Sequence, residues 1–263
     1  MAAIEPMHQF LVKPVTWLPK LLIPGTNIDI SVTNSVVWMA IGALVLTIFF
    51  LAAGRRQVVP GRLQAMGEML YDLGDKTLTG SIIGDKGRPF LPFVMTIFMF
   101  VLIMNMLGLF AFTFTPTAQL AVTAALAFIT FITVIIIGFV INGPRMWKLF
   151  VPSGLPIPLY FFLVPIEIIS FLVRPITLAM RLFGNMIGGH VVLFMFASFI
   201  IGLAGFALTN GGVAYLGLLG SGVSLAMLVA LTALEFIVAF LQAFVFAALI
   251  CVYLSDMINL DHH

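Results

Sequence analysis

The chain has 263 residues, of which 62% are hydrophobic and only 8% are charged, and its mean hydropathy is +1.20. Soluble globular domains carry roughly 25% charged residues, so this composition excludes a soluble protein and indicates an integral membrane protein. The formal net charge of +2 gives no reason to expect nucleic acid as a partner, because here the position of each charge matters more than the sum. The single cysteine, Cys251, excludes a disulfide within the chain, and the four histidines lack metal-ligand spacing. The sequence therefore predicts no metal site and no cofactor.

Four prolines interrupt residues 1–33, which predicts an arm at the membrane interface rather than a domain. This arm lacks the basic flank and the small-residue cleavage pattern of a signal peptide. Residues 34–54 then supply about the 20 apolar residues that a bilayer core of roughly 30 Å requires. We therefore expect the first membrane span at 34–54, inserted by the mature chain itself.

The connector at 55–89 holds six of the twelve lysine and arginine residues of the chain. Within it, Leu63, Met66, Leu70 and Leu73 recur at helical spacing, whereas the acidic residues fall elsewhere. That pattern predicts an amphipathic helix on the membrane surface, for which an ordinary connecting role is sufficient.

Two further apolar segments, 90–114 and 118–141, predict the second and third spans, with a tight turn between them. Asn105 in the second span is expected to form a hydrogen bond between helices. The connectors at 55–89 and 143–157 together hold eight lysine and arginine residues, against two in the arm before the first span. By the positive-inside rule, these connectors face the cytoplasm or matrix and the N-terminus lies outside.

No loop is evident from 159 to 208, and a helix of that length would extend roughly 75 Å, more than twice the hydrocarbon thickness. It must break, for which Pro165 and Pro175 offer kinks, or lie strongly tilted. After a turn signal at 209–212, a second apolar segment at 222–254 returns and places the C-terminus inside. The predicted fold class is an all-α membrane protein, a single integral domain over 1–263. It has about five spanning helices, one surface amphipathic helix, and a long, strongly tilted hairpin formed by the last two helices.

Polar residues are aligned on both arms of the predicted hairpin. On the second arm, Glu235, Gln242 and Tyr253 share a stripe, because separations of 7 and 18 residues are close to two and five helical turns. A charge at membrane depth costs about 2.5–3.5 kcal/mol, so the polar stripes of the two arms are expected to face each other and mark an ion path. A structural ion pair is the alternative. Six side chains of the first arm fall within an arc of roughly 80° on an ideal helix: Glu167, Ser170, Arg174, Thr177, Arg181 and Asn185.

His190 lies about 180° around an ideal helix from Arg181 and so does not belong to the first stripe. Either the helix is distorted near Gly188 and Gly189, or His190 serves another surface. A histidine changes its charge near neutral pH, which suits a proton relay, and Glu235 is its expected partner.

Two runs in the hairpin, RLFGNM at 181–186 and LQAFVF at 241–246, resemble subunit a of the F-type ATP synthase. The resemblance extends to Glu167, to Arg174-Pro175 and to the five-span layout, and so covers essentially the whole chain. It implies a non-catalytic stator that provides two aqueous half-channels and couples proton flow to ATP synthesis. The implied partners are the c-ring, the peripheral stalk subunit b, the remainder of the ATP synthase and the lipid bilayer.

The resemblance also assigns roles to individual residues. Arg181 would be the barrier between the half-channels, facing the c-ring. His190 and Glu235 stand in the order typical of mitochondrial and alphaproteobacterial members, whereas some bacterial members interchange them. Gly108 replaces an aspartate of some bacterial members, so a contact made by that acid is not carried over. The outer half-channel would be lined by Asn185, His190, Glu235 and Gln242, and the inner half-channel or c-ring face by Glu167, Ser170, Thr177, Arg174 and Tyr253.

The resemblance implies a bacterial inner membrane, with the mitochondrial inner membrane as the alternative. Two other interpretations remain open at this point: a secondary transporter, although no inverted repeat is visible, and a structural membrane scaffold. Neither explains the joint occurrence of the two runs. The choice between H⁺ and Na⁺ also remains open, because in the resembled family it is set largely on the c subunit.

Overall fold

The computed structural model describes residues 11, 14, 31–54, 61–110, 114–149, 157–210 and 216–259. Most of the predicted interfacial arm at 1–33 lies outside these residues. Within them, the regular structure is helical and no strand is formed, apart from an isolated antiparallel bridge between Pro14 and Thr33. The all-α fold class is therefore confirmed.

Five helical segments among the described residues are long and apolar enough to cross a membrane, which confirms the predicted number of spans. These segments lie in α1, α4, α5, α6 and α7, and α4 is preceded by a 3-10 helix, Asp85–Phe90. The α-helices in chain order are α1 (Asn34–Ala53), α2 (Arg62–Asp72), α3 (Gly80–Ile82), α4 (Leu91–Gly108), α5 (Leu120–Asn142), α6 (Ile157–Asn210) and α7 (Leu216–Ile258).

The predicted amphipathic helix forms as α2, which continues into a π-helix, Leu73–Thr79. Leu63 and Met66 are each 52% exposed, so much of its apolar face is left uncovered by the described chain. An exposed ion pair between Lys76 and Asp72 spans one turn, and its hydrogen bond and charge raise the pKa of Lys76. An uncovered apolar face beside charged groups is the arrangement of a helix at a membrane surface.

α6 and α7 form the predicted hairpin and pack against each other in antiparallel orientation. Near the turn, the Ser221 hydroxyl donates to the Ile200 carbonyl at 3.3 Å, and near the opposite end Arg174 pairs with Asp256. The sequence predicted that this helix either breaks or lies strongly tilted. α6 continues without a break through Pro165 and Pro175, so the first outcome does not occur. Its 54 residues extend roughly 80 Å, and a strong tilt in the bilayer remains the prediction that follows.

The ends of two helices differ from the predicted spans. α4 ends at Gly108 rather than near 114. The backbone amides of Leu109 and Phe110 donate hydrogen bonds to the carbonyl groups three residues earlier, those of Met106 and Leu107. A 3-10 helix, Pro116–Ala118, follows and leads into α5. α7 is longer than the predicted 222–254, because Leu216 and Ile258 extend it at both ends.

The core lies where α4, α5, α6 and α7 meet, and α1 packs at the periphery against α2 and α4. Asn105 of α4 donates from its side-chain amide to the Ala239 carbonyl of α7 at 3.2 Å, which confirms the predicted hydrogen bond between helices. Leu44 and Leu51 of α1 are 59% and 72% exposed. The residues of the hairpin are thus positioned by α4 and α5, whereas α1 lies away from it.

Candidate functional site

Among the described residues, one hydrogen bond joins the two polar stripes of the hairpin. The Asn185 side-chain amide on α6 donates to Oε1 of Gln242 on α7 at 2.6 Å. Gln242 is buried and Asn185 is exposed, so this pair runs from the helix interface to the surface. The Nε2 atom of Gln242 is buried and finds no partner among the described residues.

Glu235 packs directly on the backbone of α6. A Cβ atom at Gly189 would lie 2.5 Å from Oε1 of Glu235, so the absence of a side chain at Gly189 makes room for the carboxyl group. Glu235 is only 5% exposed, and neither of its oxygens has a hydrogen-bonding partner in the described part of the chain. A buried polar group left in this state costs about 1–3 kcal/mol, which favours a water molecule at this position.

His190 forms a side-chain hydrogen bond with Thr115, a residue that was not among its expected partners. Its Nε2 atom lies 3.1 Å from the Thr115 hydroxyl, and no hydrogen bond joins it to Glu235 in the described structure. The physical reason is the helical phase already visible in the sequence, since His190 points away from the Arg181 stripe and toward the segment between α4 and α5. From the sequence, Thr115-Pro116-Thr117 is predicted only as a turn. Two threonines at a turn between apolar spans were the available signal for a polar contact.

Further buried polar atoms surround this contact. Ala118, Met186 and Ala239 pack together, which brings the turn before α5 against the middle of the hairpin. Asn105 Oδ1 and Thr117 Oγ1 are buried without partners among the described residues. Buried polar atoms of this kind are usually satisfied by ordered water. We call the following six buried residues the polar cluster: Asn105, Thr115, Thr117, His190, Glu235 and Gln242.

A second polar group lies toward the other end of the hairpin. Arg174 donates to Asp256 at 2.9 Å, and its guanidinium lies 5.1 Å from the centre of the Tyr253 ring and 5.6 Å from that of Phe171. We call Arg174, Asp256 and Tyr253 the anchor. Asp256 was missed in the sequence analysis because it follows the apolar run and was interpreted only as the end of the helix. The predicted stripe position of Tyr253 places it here, 9% exposed.

Arg181 lies between the polar cluster and the anchor, one turn from Asn185 and two turns from Arg174. Its side chain is exposed, and it forms no hydrogen bond or ion pair with the residues that the structure describes. Among the other residues of the predicted stripe, Ser170 and Thr177 are exposed and Glu167 is partly buried. An arginine that is exposed on a membrane-spanning helix requires a polar partner or water outside the chain.

Beneath Arg181, an apolar layer separates the polar cluster from the anchor. Its side chains are at most 2% exposed and come from both arms of the hairpin. Along α6, the rise from Arg174 to Asn185 is roughly 16 Å, so two polar regions are held apart by tightly packed hydrocarbon. The layer consists of Leu178, Leu182, Ala243, Phe246 and Ile250.

We expect Gly189→Ala to destabilise the hairpin, because the new Cβ atom would overlap the Glu235 carboxyl group. Overpacking of this kind typically costs about 1–3 kcal/mol. The matched control is Gly188→Ala, since a Cβ there meets nothing within 4 Å in the described chain and the helix gains roughly 0.5–1 kcal/mol from losing a glycine. Thermal unfolding of the purified chain in detergent should therefore shift downward for the first variant and stay level or rise for the second. Equal midpoints would contradict the packing of Glu235 on Gly189.

The described residues contain no group of three or more histidine, cysteine, aspartate or glutamate side chains that could hold a metal ion. What the arrangement offers instead is a set of ionisable and polar side chains, one exposed cation and an apolar layer between two polar regions. Ionisable side chains within membrane-spanning helices are a common mark of proton and ion paths.

Comparison with known proteins agrees with the sequence resemblance. The family model described as ATP synthase A chain matches residues 36–255. A protein named ATP synthase subunit a from Hyphomonas neptunium is 45% identical over 263 residues, covering 99% of this chain and 98% of that protein. Proteins of the same name from Nitrobacter winogradskyi and Mesorhizobium japonicum are 42% and 45% identical, covering 98% of this chain and 100% and 98% of their own lengths. The chain belongs to the ATP synthase A chain family.

Proposed function

We propose that this chain is the stator subunit of an F-type ATP synthase, and that it passes protons through two half-channels to and from carboxylates on a rotating c-ring. It couples proton flow to rotation and performs no ATP chemistry itself. The observation that carries the proposal is the placement of Arg181, an exposed cation that is unpaired among the described residues and lies between two polar regions that buried hydrocarbon separates.

The polar cluster is the proposed outer half-channel, with Asn185 at its rim. Atoms of Asn105, Thr117, Glu235 and Gln242 that have no partner in the described part of the chain are what a hydrated path through apolar helices requires. The Asn185–Gln242 hydrogen bond leads from the buried cluster to the surface that carries Arg181. Protons would therefore approach the c-ring beside this pair.

The anchor region is the proposed inner half-channel. Glu167, Ser170 and Thr177 lie along the same face of α6 and provide polar side chains toward its inner end. Arg174 is held by Asp256, so its charge is already balanced within the chain. This leaves Arg181 as the cation available to a passing carboxylate, and it assigns Arg174 a positioning role at the mouth of the channel.

The surface around Arg181 fits a partner helix. Gly184 and Gly188 flank it on the same side of α6, and a Cβ atom at either position would meet nothing within 4 Å in the described chain. Small residues in membrane helices allow another helix to approach closely. Beyond them, the face continues with exposed Val192, Met195 and Phe199, which suits a hydrophobic neighbour. A c-subunit helix that carries one carboxyl group has this complementary chemistry.

Arg181 would act through its charge. Two unit charges 4 Å apart interact by about 4 kcal/mol at an effective dielectric constant of 20, which favours an ionised carboxylate roughly a thousandfold. A carboxylate that arrives protonated would therefore release its proton near Arg181. The same charge repels a free proton that might otherwise cross between the half-channels.

The proposed location and membrane topology rest on the known relatives and on the distribution of charge. The curated relatives named above come from bacteria, which supports a bacterial inner membrane as the location. The positive-inside pattern supports an external N-terminus and a cytoplasmic C-terminus. The uncovered faces of α1 and α2 offer surface for the bilayer or for the peripheral stalk subunit b.

Purification of the tagged chain from its native membrane tests the proposal. We expect a c-ring and a catalytic head to copurify with it, and the purified complex to acidify liposomes when ATP is added. Removing the catalytic head should abolish that acidification. Solute uptake by the chain alone in liposomes, without a c-ring, would instead support a secondary transporter.

A further inference from the structure

Thr115 joins three parts of the structure through one hydroxyl group. It lies between α4 and the 3-10 helix Pro116–Ala118 and is 6% exposed. Its Oγ1 atom lies 3.3 Å from the carbonyl oxygen of Gly108, the last residue of α4, and 3.1 Å from Nε2 of His190 on α6. The hydroxyl therefore connects the end of one span to an ionisable side chain on the hairpin.

The chemistry of the two neighbours restricts where the protons are. A hydroxyl has one proton to donate, and a carbonyl oxygen can only accept. If Thr115 donates to Gly108, then the contact with His190 is a hydrogen bond only when Nε2 carries a proton and donates to Oγ1. The other neutral form of the ring would make Nε2 and the Gly108 carbonyl compete for the same proton. Both contacts are satisfied together only with a proton on Nε2.

Gly108 makes this close arrangement possible. A Cβ atom at that position would lie 2.5 Å from Cγ2 of Thr115 and 2.7 Å from its Oγ1. These distances are too short for a side chain at position 108 to coexist with Thr115 as it is placed. The glycine and the threonine therefore form one local unit, in which the missing side chain of the first leaves room for the hydroxyl of the second.

We propose that Thr115 is a positioning residue that holds His190 with a proton fixed on Nε2, so that His190 gains and loses its transported proton at Nδ1. This role rests on the proposed function of the chain. In the loading step, Nδ1 takes up a proton that a hydronium ion supplies, directly or through the further group that contacts the ring, which leaves water and an imidazolium ring. In the unloading step, Nδ1 returns that proton to water and the ring is neutral again. The Nε2–H bond is unchanged throughout.

Transfer out through Nε2 is disfavoured for a structural reason. A proton leaving Nε2 would have to pass to the Thr115 hydroxyl, whose next contact is the Gly108 carbonyl. A backbone carbonyl does not take up a proton at physiological pH, so that route ends within the protein. Glu235, the ionisable residue that packs on the adjacent Gly189, belongs to the same cluster without a hydrogen bond to the His190 ring.

Three variants separate this role from a purely structural one. Thr115→Val keeps the shape and removes the hydroxyl, Thr115→Ser keeps the hydroxyl, and Gly108→Ala keeps Thr115 but forces it to move. Each is made in the complete complex, in a background where His8, His262 and His263 are replaced by glutamine. His190 is then the single histidine of this subunit and can be labelled with ¹⁵N after reconstitution with unlabelled partner subunits.

Two measurements are made on each complex: the ¹⁵N spectrum of the neutral His190 ring, which reports the protonated nitrogen, and the rate of ATP-driven liposome acidification. We expect the parent and Thr115→Ser to show a proton on Nε2. Thr115→Val and Gly108→Ala should show a mixture of the two neutral forms and acidify roughly five- to tenfold more slowly, the effect of losing one buried hydrogen bond.

The proposal is overturned if the parent carries its proton on Nδ1, or if Thr115→Val acidifies liposomes as fast as Thr115→Ser. It is also overturned if Thr115→Ser is as slow as Thr115→Val, because retaining the hydroxyl group would then not preserve the rate. Its failure is distinguishable from failure of the proposed function, since the spectrum requires no transport. Acidification by the parent complex, moreover, tests the channel without reference to Thr115.

Discussion

Arg181→Ala is expected to abolish proton-driven ATP synthesis in the assembled complex. Arg181 is exposed, unpaired among the described residues and placed between the polar cluster and the anchor, so no neighbouring cation replaces its charge. An interaction of about 4 kcal/mol corresponds to roughly a thousandfold, so synthesis should fall below about 1% of the parent rate. Synthesis is measured in vesicles that contain the complete complex under an imposed proton gradient.

Three controls accompany this measurement. The detached catalytic head should still hydrolyse ATP, because Arg181 lies in the membrane part. Arg181→Lys is expected to restore little, since a lysine enclosed between α6 and the proposed c-ring can lose its charge and lacks the planar donor set of a guanidinium. Arg62→Ala removes an exposed arginine from α2 and should leave synthesis unchanged. Coupled synthesis by Arg181→Ala at near the parent rate would refute the barrier role.

The fold was largely predictable because its main determinant is local. A bilayer core requires about 20 apolar residues per helix, and the lengths of the apolar runs therefore gave five spans and a long hairpin. The spacing of Leu63, Met66 and Leu70 predicted α2 for a similar reason. The end of α4 at Gly108 was not predictable in this way, because Leu109 and Phe110 are apolar and yet lie beyond the end of the helix.

Pro165 and Pro175 show where a local rule is incomplete. A proline removes one backbone hydrogen bond and favours a kink, yet α6 continues through both positions. Prolines are tolerated in membrane helices because neighbouring groups and small backbone adjustments satisfy the freed carbonyl groups. The consequence is functional, since an unbroken α6 carries Glu167, Arg181 and His190 on one rigid element.

Sequence periodicity indicates the helix faces on which the candidate polar residues lie, but not the contacts that they make. Helical phase separates His190 from the Arg181 stripe, but phase gives a direction and not the neighbour that lies there. That neighbour, Thr115, comes from a segment 75 residues earlier in the chain and is brought in by the packing of Ala118 against Met186. The pairing of Asp256 with Arg174 was not predictable either, because it depends on the antiparallel alignment of α6 and α7.

The apolar layer is as important to the proposed mechanism as Arg181, because a single exposed cation does not by itself stop water from entering a helix interface. Phe246 is fully buried in this layer between Gln242 above and Tyr253 below. A packed, dry interior imposes on a proton the cost of leaving water, which a polar path would remove. In the proposed mechanism the layer and the arginine are complementary: the layer would block protons inside the hairpin, and Arg181 would block them at its surface.

Phe246→Asn is accordingly expected to make the membrane sector leak protons. The amide would be buried among hydrocarbon with too few partners and would recruit water, which links the polar cluster to the anchor. Passive decay of a pH gradient should accelerate by roughly tenfold or more, because lowering the barrier by only about 1.4 kcal/mol has that effect. Decay is measured in vesicles that contain the membrane sector without its catalytic head.

Two apolar substitutions at the same position serve as controls for that experiment. Phe246→Leu keeps most of the side-chain volume, and Phe246→Ala creates a cavity that costs about 3–5 kcal/mol of stability but stays dry because its walls are apolar. Both should assemble with the c-ring and hold a pH gradient close to that of the parent, even if the alanine variant assembles in smaller amounts. If the alanine variant leaks as fast as the asparagine variant, the lost volume rather than recruited water opens the path. If the asparagine variant holds its gradient, the two polar regions are separated by something other than the layer around Phe246, and Arg181 would have to provide the whole barrier.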